Sequence, residues 1–497
     1  MKLVIALAAL AVVAQAKVSS SVLRELETKE SASIIVHFKK TSSPSLESFE
    51  AITNPVERRS KFLEVAQTEE AKRASSLQEV AGADADIKNF WIAPVATVHG
   101  ANQALVDKIA KLPNVLKVDV IRRVRLNPVF KKENSPADNS RPTGIQWGVE
   151  TVGAPAVWQY TTGKGVVVGS IDTGARHTHE AIKSKWRSDR GWYDPYNQTA
   201  LPEDLGGHGT HTIGTMVGDY GIGVAPGAQF ISCRGLYIED GSEEALLTCA
   251  QFMVCPTKPD GSDPDCDKGA DLVNNSWGGD TSTDPWFEDV VDSWHMAGIT
   301  PLFANGNEGP ACATTGNPAS YANVISVGAV GSYDDEPDHL AFFSSKGPTE
   351  YKDATGKTRT IIKPTVSAPG FFTYSSLNVD DGFYDYYAGT SMATPHVAGV
   401  VALMKSAQKG LTYNQIYKYL TTTTIKDVLK PEPAQWVLRD KNHTTYPGAP
   451  NCGGVLDTKW PNNRYGYGRV NVTQILPDFY QASLCIQCYV SLNVIWK

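Results

Sequence analysis

The sequence has no marked excess of charge of either sign. Its 497 residues include 46 Lys and Arg and 53 Asp and Glu, which gives a formal net charge of −7 and a sequence pI of about 5.8. Domains that bind nucleic acid usually carry a basic stripe that neutralises phosphates. We therefore expect no nucleic-acid partner. With 41% hydrophobic and 20% charged residues, the chain is typical of a globular protein of two or three domains.

Long apolar runs are also lacking after the first residues. Residues 1–16 contain Lys2, an apolar stretch and then Ala-Gln-Ala. This order is typical of a secretory signal peptide and predicts cleavage after Ala16. No other run approaches the roughly 20 residues that cross a bilayer. We therefore expect a secreted, extracellular protein without a membrane partner.

Cysteine is absent until residue 233. Eight cysteines then follow, namely Cys233, Cys249, Cys255, Cys266, Cys312, Cys452, Cys485 and Cys488. An even number in an exported chain predicts disulfides, but their connectivity stays open. Cys255 and Cys266 enclose a short loop rich in Pro and Asp, which makes them one candidate pair. The Cys-x-x-Cys at 485–488 is interpreted as a structural bridge rather than a redox or zinc motif.

Residues 17–130 differ in composition from the rest of the chain and are rich in Lys, Glu and Ser. Strand-like and helix-like stretches alternate in this block, with strands at 34–38, 90–98 and 115–124 and helices around 45–80 and 102–111. The pattern predicts a small α+β domain. Residues 131–144 are polar and rich in helix breakers, as an exposed cleavable linker should be.

The most informative motif is Gly-Thr-Ser-Met-Ala-Thr-Pro at residues 389–395. Small residues flank Ser391 and an apolar stretch follows, so a buried helix is predicted to begin at the serine, with Pro395 near its entrance. The unpaired N–H groups and positive dipole end of a helix start would stabilise an oxyanion on a carbonyl that Ser391 attacks. Ser391 is therefore a candidate nucleophile, although a serine there alone would more often be a helix cap.

A serine nucleophile needs a base and a group that orients the base. His208 lies in Gly-His-Gly-Thr-His, at the start of a helical stretch. Asp172 ends the apolar run 166–171 and is followed by Thr-Gly. Such a run is typical of a buried parallel strand. The candidate residues thus follow the chain order aspartate, histidine, serine, which is also the order in subtilisin.

The same residues also fit other kinds of site. His208 and His211, with His177 and His179 nearby, could bind a metal, but no third ligand follows at a characteristic spacing. Asp-Thr-Gly is more often a simple turn, and as an aspartic-protease motif it requires a second carboxylate in a matching context. No second Asp-Thr-Gly or Asp-Ser-Gly is present. The co-occurrence of the three motifs favours serine chemistry.

Together, the three motifs resemble those of subtilisin-like serine proteases over residues 145–475. The stretch that begins with His208-Gly-Thr-His is similar to the bacillopeptidase F-like branch. The resemblance implies a serine endopeptidase in which Ser391 attacks a peptide bond, His208 is the base and Asp172 orients it. It also implies that residues 17–130 are an inhibitory propeptide of ferredoxin-like fold, so that the enzyme is made as a zymogen and its own propeptide is a partner.

The resemblance extends to two further blocks. In Asn-Gly-Asn-Glu-Gly, it makes Asn307 the side-chain oxyanion donor, while Asn305 stands where the family has alanine. It makes the backbone of Ser276, Trp277 and Gly278 an edge that pairs with substrate and forms a wall of the specificity pocket. The glycines there leave room for a large uncharged side chain of a protein or peptide substrate.

The sequence also predicts the fold class, an α/β domain with a mostly parallel central sheet flanked by helices. Apolar runs at about 166–171, 230–235, 271–274, 300–304 and 324–329 alternate with helical stretches at about 208–218, 243–254, 286–297 and 391–406. Parallel sheets bind ligands beyond the carboxyl ends of their strands. Asp172, Ser276 and Asn307 should therefore converge at one edge.

Two functional alternatives stay open. A convertase-type processing protease would cleave after basic residues, and Asp280 lies near the predicted pocket, but only about 100 residues follow Ser391, too few for the extra β-domain of such enzymes. A non-catalytic secreted binding protein on the same fold would normally have lost a residue of the triad. We expect a monomer that requires no cofactor. Calcium is common in the family, but no ligands can be assigned from the sequence.

Asn-x-Ser/Thr sequons predict a glycoprotein. Those expected to be accessible begin at Asn197, Asn442 and Asn471, whereas Asn274 begins another beside the predicted substrate edge. Residues 476–497 are predicted to form a C-terminal tail.

Overall fold

The computed structural model describes residues 16–475, except for residues 41–44, 127, 133–138, 280, 282–283, 334–335, 353–356 and 440–441. Nearly all of the predicted signal peptide, the tail 476–497 with its two cysteines, Asp280 and part of the predicted linker therefore lie outside the described residues. Within the described part, no helix is both long and apolar enough to cross a membrane.

Residues 16–120 form a small lobe, which we call the N-terminal lobe. Its strands are β1 (Ala32–Phe38), β2 (Asp86–Phe90), β3 (Val95–Ala101) and β4 (Val115–Val120), and its helices are α1 (Ser20–Thr28), α2 (Leu46–Glu50), α3 (Pro55–Ala81) and α4 (Gln103–Ala110). The strands form an antiparallel sheet in the order β2-β3-β1-β4. Val22, Leu77 and Val106 of the helices meet Ile34 and Val98 of the sheet in one core.

Residues 121–132 connect this lobe to the rest of the chain, and we call them the connecting segment. They contain two short strands, β5 (Arg123–Arg125) and β6 (Phe130–Lys131). Lys131, which the sequence assigned to the linker, thus lies in a strand.

Residues 139–475 form the main lobe. Its longer strands are β7 (Val167–Asp172), β9 (Gln229–Arg234), β12 (Leu272–Asn275), β13 (Thr300–Ala304), β14 (Ile325–Val330) and β17 (Val366–Pro369). With β8 (Trp192–Tyr193) they form a seven-stranded sheet in the order β17-β14-β13-β12-β7-β9-β8, and all the neighbouring strands are parallel. The predicted parallel sheet is confirmed, and β8 and β17 add to the five predicted strands.

Helices cover both faces of this sheet. The helices of the main lobe are α5 (Trp147–Thr151), α6 (Ala154–Val157), α7 (His208–Val217), α8 (Glu243–Val254), α9 (Glu288–Met296), α10 (Thr390–Ala407) and α11 (Tyr413–Thr422). Apolar residues of α7 and α10 belong to one core, and those of α8 and α9 belong to a second. A sheet buried on both faces explains why its strands are continuous apolar runs in the sequence.

Short antiparallel strands complete the main lobe. They are β10 (Leu236–Tyr237), β11 (Asp240–Ser242), β15 (Thr349–Lys352), β16 (Thr358–Ile361), β18 (Thr373–Ser376), β19 (Tyr384–Ala388), β20 (Gln435–Val437) and β21 (Thr445–Pro447). Short 3₁₀ turns lie at Cys266–Lys268, Cys452–Gly454 and Val472–Gln474. Strand β5 joins β11, and β6 joins β19. The connecting segment is thus part of two sheets of the main lobe.

Two predicted strands are corrected by the structure. The stretch 90–98 contains a turn between β2 and β3, because Ile92 and Ala93 are buried against the main lobe and not within a sheet. The stretch 115–124 is divided after Val120, since β5 leaves the sheet of the N-terminal lobe and pairs with the main lobe. In both cases the apolar residues that suggested a longer strand are buried against the main lobe.

Disulfides join residues of the main lobe. The described cysteines form Cys233–Cys249, Cys255–Cys266 and Cys312–Cys452. The predicted closure of the loop between Cys255 and Cys266 is confirmed.

The two lobes are joined by buried polar contacts as well as by apolar ones. Arg59 of α3 donates to the carbonyl oxygen of Ala270 at 3.1 Å and to Asp271 Oδ1 at 3.3 Å. Arg58 Nε donates to the carbonyl oxygen of Met296 at 2.7 Å. Both arginine side chains are buried. The start of α3 is therefore anchored to the ends of main-lobe elements.

Candidate active site

The structure places Asp172 and His208 in direct contact. Asp172 is the last residue of β7 and His208 is the first residue of α7. His208 Nδ1 lies 2.8 Å from Asp172 Oδ1, so the ring N–H donates to the carboxylate. Both side chains are almost completely buried. Within the described part of the chain, the other ring nitrogen, Nε2, has no hydrogen-bond partner although it is buried.

A carboxylate that the sequence analysis missed fixes the start of α7. Asp204 accepts hydrogen bonds from Gly207 N at 2.7 Å, from Thr210 N at 2.8 Å and from Thr173 Oγ1 at 2.8 Å. These bonds join the residue after Asp172 to the residues on both sides of His208. Asp204 thereby satisfies N–H groups that a helix start leaves without partners. Its position four residues before His208 was the available signal.

Gly209 allows the close approach of strand and helix. A Cβ atom at Gly209 would lie 2.2 Å from the carbonyl oxygen of Gly174 and 3.2 Å from the Cβ of Asp172. The N–H of Gly209 also donates a hydrogen bond to Thr173 Oγ1 at 2.9 Å, which holds the start of α7 close to the end of β7. A larger residue at this position would push His208 away from Asp172.

Ser391 is the second residue of α10 and lies against the end of β12. Its hydroxyl donates to the carbonyl oxygen of Ser276 at 2.9 Å, and the Ser276 hydroxyl donates to the carbonyl oxygen of Ser391 at 2.8 Å. Strand β12 neighbours β7, which ends in Asp172. The sheet therefore brings Ser391 to the same edge as the Asp172–His208 pair.

The position of Pro395 differs from the prediction and explains the hydrogen bond from the Ser276 hydroxyl to the Ser391 carbonyl oxygen. It lies inside α10 and not at its entrance. Proline has no N–H, so the helical hydrogen bond to the carbonyl oxygen four residues earlier is missing. That oxygen belongs to Ser391, and it accepts the Ser276 hydroxyl instead. Pro395 thus leaves the Ser391 carbonyl oxygen free to accept the hydrogen bond that ties the first turn of α10 to Ser276.

Asn307 follows β13 and is oriented by the residue before Ser391. Its Oδ1 accepts hydrogen bonds from Thr390 N at 2.9 Å and from Thr390 Oγ1 at 2.8 Å. The Nδ2 donor is thereby directed to the other side, where it donates to the carbonyl oxygen of Pro128 at 3.0 Å. Asn307 holds a peptide carbonyl of the connecting segment.

Asn305 has a different environment. It is fully buried, and its Nδ2 donates to the carbonyl oxygen of Ser345 at 2.6 Å and to Thr315 Oγ1 at 3.2 Å. These bonds tie the loop after β13 to neighbouring loops. Of the two asparagines, Asn307 is therefore the one with a donor on a carbonyl of the connecting segment.

The residues of the predicted substrate edge have different surroundings. Ser276 contacts Ser391, whereas the Trp277 indole lies in the core between the rings of Phe287 and Phe303. Gly278 is buried. The connecting segment pairs with Asp240–Ser242 of β11. This edge was not predicted, because a strand of three residues shows no apolar periodicity.

The histidines do not share a site. His211 Nε2 lies near the carbonyl oxygens of Thr373 and Asp385, away from the Asp172–His208 contact. Burial lowers the pKa of His211 to about 3, so this ring is neutral. Among the described residues, no group of three or more His, Cys, Asp or Glu side chains could hold a metal ion.

Comparisons with known proteins agree on one family. The family profile described as Subtilase family matches residues 163–468. Bacillopeptidase F of Bacillus subtilis (strain 168) is 32% identical over 503 residues, which cover 92% of this chain and 32% of the relative. The intracellular serine protease of Paenibacillus polymyxa is 30% identical over 319 residues, which cover 61% of this chain and 86% of the relative. The chain thus spans about a third of the length of bacillopeptidase F.

A solved structure supports the same fold. The crystal structure of fervidolysin from Fervidobacterium pennivorans, described as a keratinolytic enzyme related to subtilisin, aligns with a TM-score of 0.59 and 21% sequence identity. The alignment covers 90% of this chain and 61% of that chain. It supports the subtilisin-like α/β architecture.

Proposed function

The chain belongs to the subtilase family of serine endopeptidases, and from this premise we propose that it is a secreted endopeptidase made as a zymogen. Ser391 is the nucleophile, His208 the general base and Asp172 the group that orients His208. Asn307 Nδ2 and the backbone N–H of Ser391 hold the oxyanion. The observation that carries the proposal is the buried Asp172–His208 contact, with the second ring nitrogen of His208 free.

The proposed reaction begins with a rearrangement of one hydroxyl. The Ser391 hydroxyl must turn from the Ser276 carbonyl to His208 Nε2, which accepts its proton as the oxygen attacks the peptide carbonyl. The negative charge that develops on the carbonyl oxygen is stabilised by the donors at the oxyanion position. His208 then returns the proton to the departing amine, and water hydrolyses the acyl-enzyme by the reverse roles.

We propose that the N-terminal lobe is an inhibitory propeptide. Its strand and helix order, β1-α3-β2-β3-α4-β4, supports a ferredoxin-like fold for this lobe. The connecting segment supports the role, because it occupies β11 and β19 and places a carbonyl on Asn307. A substrate could not occupy these positions at the same time. The proposed domains are the propeptide at 17–130, the linker at 131–144 and the catalytic domain at 145–475.

Secretion is part of the same proposal. It is supported by the signal-like residues 1–16 and by the disulfides of the main lobe, which form in oxidising compartments. The exposed Asn197 and Asn442 are the proposed glycan positions.

A serine-directed reagent tests the mechanism. We expect a fluorophosphonate to label Ser391 in the processed protein, because the reagent needs a nucleophile activated by a base. His208→Ala, prepared with the N-terminal lobe removed by an added protease, should lose this labelling although Ser391 is present. His177→Ala is the matched control, since His177 contacts the carbonyl oxygen of Pro202. Equal labelling of both variants would contradict the proposed base.

The specificity of the pocket is proposed from its glycines alone. We expect cleavage after large uncharged side chains, and profiling of a peptide library measures it. Strict cleavage after Arg or Lys would instead favour the convertase-type alternative and would direct attention to Asp280.

A further inference from the structure

The described parts of the connecting segment pair with main-lobe strands on both sides of the Pro128 contact with Asn307. On one side, Val124 is paired with Gly241 of β11 and Arg125 with Asp240. The pairing continues at Leu126, whose N–H donates to the carbonyl oxygen of Glu239 at 2.7 Å. The side chain of Val124 is buried. The segment therefore enters the site held by backbone bonds.

On the other side, the segment leaves the site as a strand of a different sheet. Phe130 is paired with Ala388 and Lys131 with Tyr387 of β19. The Phe130 ring stacks on Phe343, with 4.9 Å between the ring centroids. Strand β19 ends at the residue before Gly389 of the Ser391 motif. The register of the segment is thus fixed on both sides of Ser391.

Between these two strands, the carbonyl group of one peptide bond contacts the proposed oxyanion donor. The carbonyl oxygen of Pro128 accepts the hydrogen bond from Asn307 Nδ2 at 3.0 Å. The next residue, Val129, packs against the cluster of Leu377, Tyr387 and Met392, and Met392 directly follows Ser391. The bond between Pro128 and Val129 therefore has the oxyanion donor on its Pro128 carbonyl and, on its Val129 side, a cluster that includes the residue after the nucleophile.

A shift of the segment by one residue would destroy this fit. An extended chain advances about 3.3 Å per residue and turns successive carbonyls to opposite sides. A slip of one position would move the Pro128 carbonyl away from Asn307 and would take Val129 out of its apolar seat. The pairing of β6 with β19 and the stacking of Phe130 oppose such a slip.

We infer that the chain cleaves itself first at the Pro128–Val129 bond. The inference rests on the proposed function and specifies its first substrate. Ser391 Oγ bonds to the Pro128 carbonyl carbon, and its proton passes to His208. The bond to the Val129 nitrogen breaks as His208 protonates that nitrogen. Water then releases the Pro128 carboxylate from Ser391, so the products are a fragment that ends at Pro128 and a chain that begins at Val129.

The position is tested by the ends of both products. The full chain is expressed without other proteases, and early time points are examined by intact mass and by N-terminal sequencing at several dilutions. We expect a fragment ending at Pro128 and a chain beginning at Val129, at a rate independent of concentration. A first cut at another bond, made by the unaltered chain and absent from Ser391→Ala, would overturn the inference and leave the proposed function standing.

The remaining outcomes separate the two claims. If the chain stays uncut but an added protease releases a protein that a fluorophosphonate labels at Ser391, the inference is wrong and the endopeptidase proposal stands. If neither cutting nor labelling occurs, the proposed function fails as well.

A substitution at Val129 tests the seating of the bond. Val129→Asp places a charge among Leu377, Tyr387 and Met392, so we expect the cut to become at least about tenfold slower, since an unpaired charge is costly in apolar surroundings. Val129→Ile should process at close to the original rate. Thermal melting of both variants in a Ser391→Ala background checks that each is folded. An unchanged rate for folded Val129→Asp would overturn the seating and with it the inference.

Discussion

The two lobes of the molecule bury their sheets in different ways. In the main lobe, helices of the same lobe cover both faces of the seven-stranded sheet, one disulfide joins β9 to α8, and another joins Cys312 to Cys452. In β1 of the N-terminal lobe, Ile34 and Val36 face the helices of that lobe, but Ile35 between them joins the core around α8 and α9. The N-terminal lobe also contains no cysteine. The core around α7 and α10 is built by the main lobe alone, whereas the core around α8 and α9 is shared between the two lobes.

This difference suits a lobe that is to be separated from its partner. The main lobe keeps its cross-links and both covered faces after a cut in the connecting segment. The N-terminal lobe would lose the apolar cover over Ile35 and the acceptors of Arg58 and Arg59. We therefore expect the lobes to differ in stability once they are parted, and the following variants test how they are joined and released.

The largest effect is expected for Ser391→Ala, which should keep the lobes in one chain. Without the nucleophile, the precursor that retains residues 17 to about 130 should accumulate, and peptidase activity should fall by about 10⁶, the size known for the corresponding change in subtilisin, a member of this family. Mass spectrometry and a peptide assay measure both. A correctly shortened variant, made without other proteases, would contradict self-processing.

The next effect is expected for Asn307→Ala. Its amide bonds the oxyanion mainly in the transition state, so kcat should fall far more than KM changes. We expect a loss of about 10²–10³, the magnitude known for the corresponding donor in subtilisin.

Asn305→Ala is the control for this variant. It removes two buried hydrogen bonds, so it should lower the melting temperature but change kcat much less. The opposite result, a damaged kcat in Asn305→Ala and a nearly normal Asn307→Ala, would shift the assignment of the donor by two residues.

The contact between the lobes should depend on Arg59. Arg59→Ala in the uncut Ser391→Ala chain leaves the acceptor at Ala270 without its donor and removes a partly buried ion pair with Asp271. We expect the free energy of opening of the N-terminal lobe to fall by about 2–3 kcal/mol. Hydrogen exchange of the amides in α3 measures it. Arg24→Ala, at an exposed site bonded to Ser21, should have little effect. Equal exchange in the two variants would contradict the anchor.

A smaller, pH-dependent effect is expected at Glu243. Burial raises its pKa to about 7 from its ordinary 4.5, against the opposing attraction of Arg122. Between these values the folded chain holds a proton that the unfolded chain has released, so stability should fall as the pH rises from about 4.5 to 7. The nearby Asp119 and Asp284 act in the same direction as burial.

Glu243→Gln removes this titration and should flatten the profile by about 1–2 kcal/mol. Urea unfolding of the uncut Ser391→Ala chain at pH 5 and pH 7, with and without this change, measures the difference. Identical pH profiles would show that the pKa of Glu243 does not differ between the folded and the unfolded chain.

The sequence predicted the parts of the molecule that show apolar periodicity or contain one of the three motifs. The long strands and the helices α7 to α10 are long enough to show apolar periodicity, and the contact of Asp172 with His208 was expected from the three motifs that occur together in order. The roles of these residues and the signal peptide stay predictions.

The features that the sequence did not predict depend on partners far along the chain. Strand β5 has three residues and is a strand only because Asp240–Ser242 lies beside it. The role of Asp204 follows from the shape of one turn. Pro395 was expected near a helix entrance but lies inside α10. The Ser391 carbonyl that it leaves free accepts a hydrogen bond from the Ser276 hydroxyl, and no local pattern reveals that partner. Such pairings carry no periodic signal.

The two hydrogen bonds from Thr390 to Asn307 have a consequence for motion. They join the oxyanion donor to the residue that precedes the nucleophile, so a rocking of α10 carries both groups together. Thermal fluctuation then changes the position of the pair more than the spacing within it. Heating should misalign Ser391 and Asn307 with each other only when these two bonds break, and Thr390→Val would make that loss begin at a lower temperature.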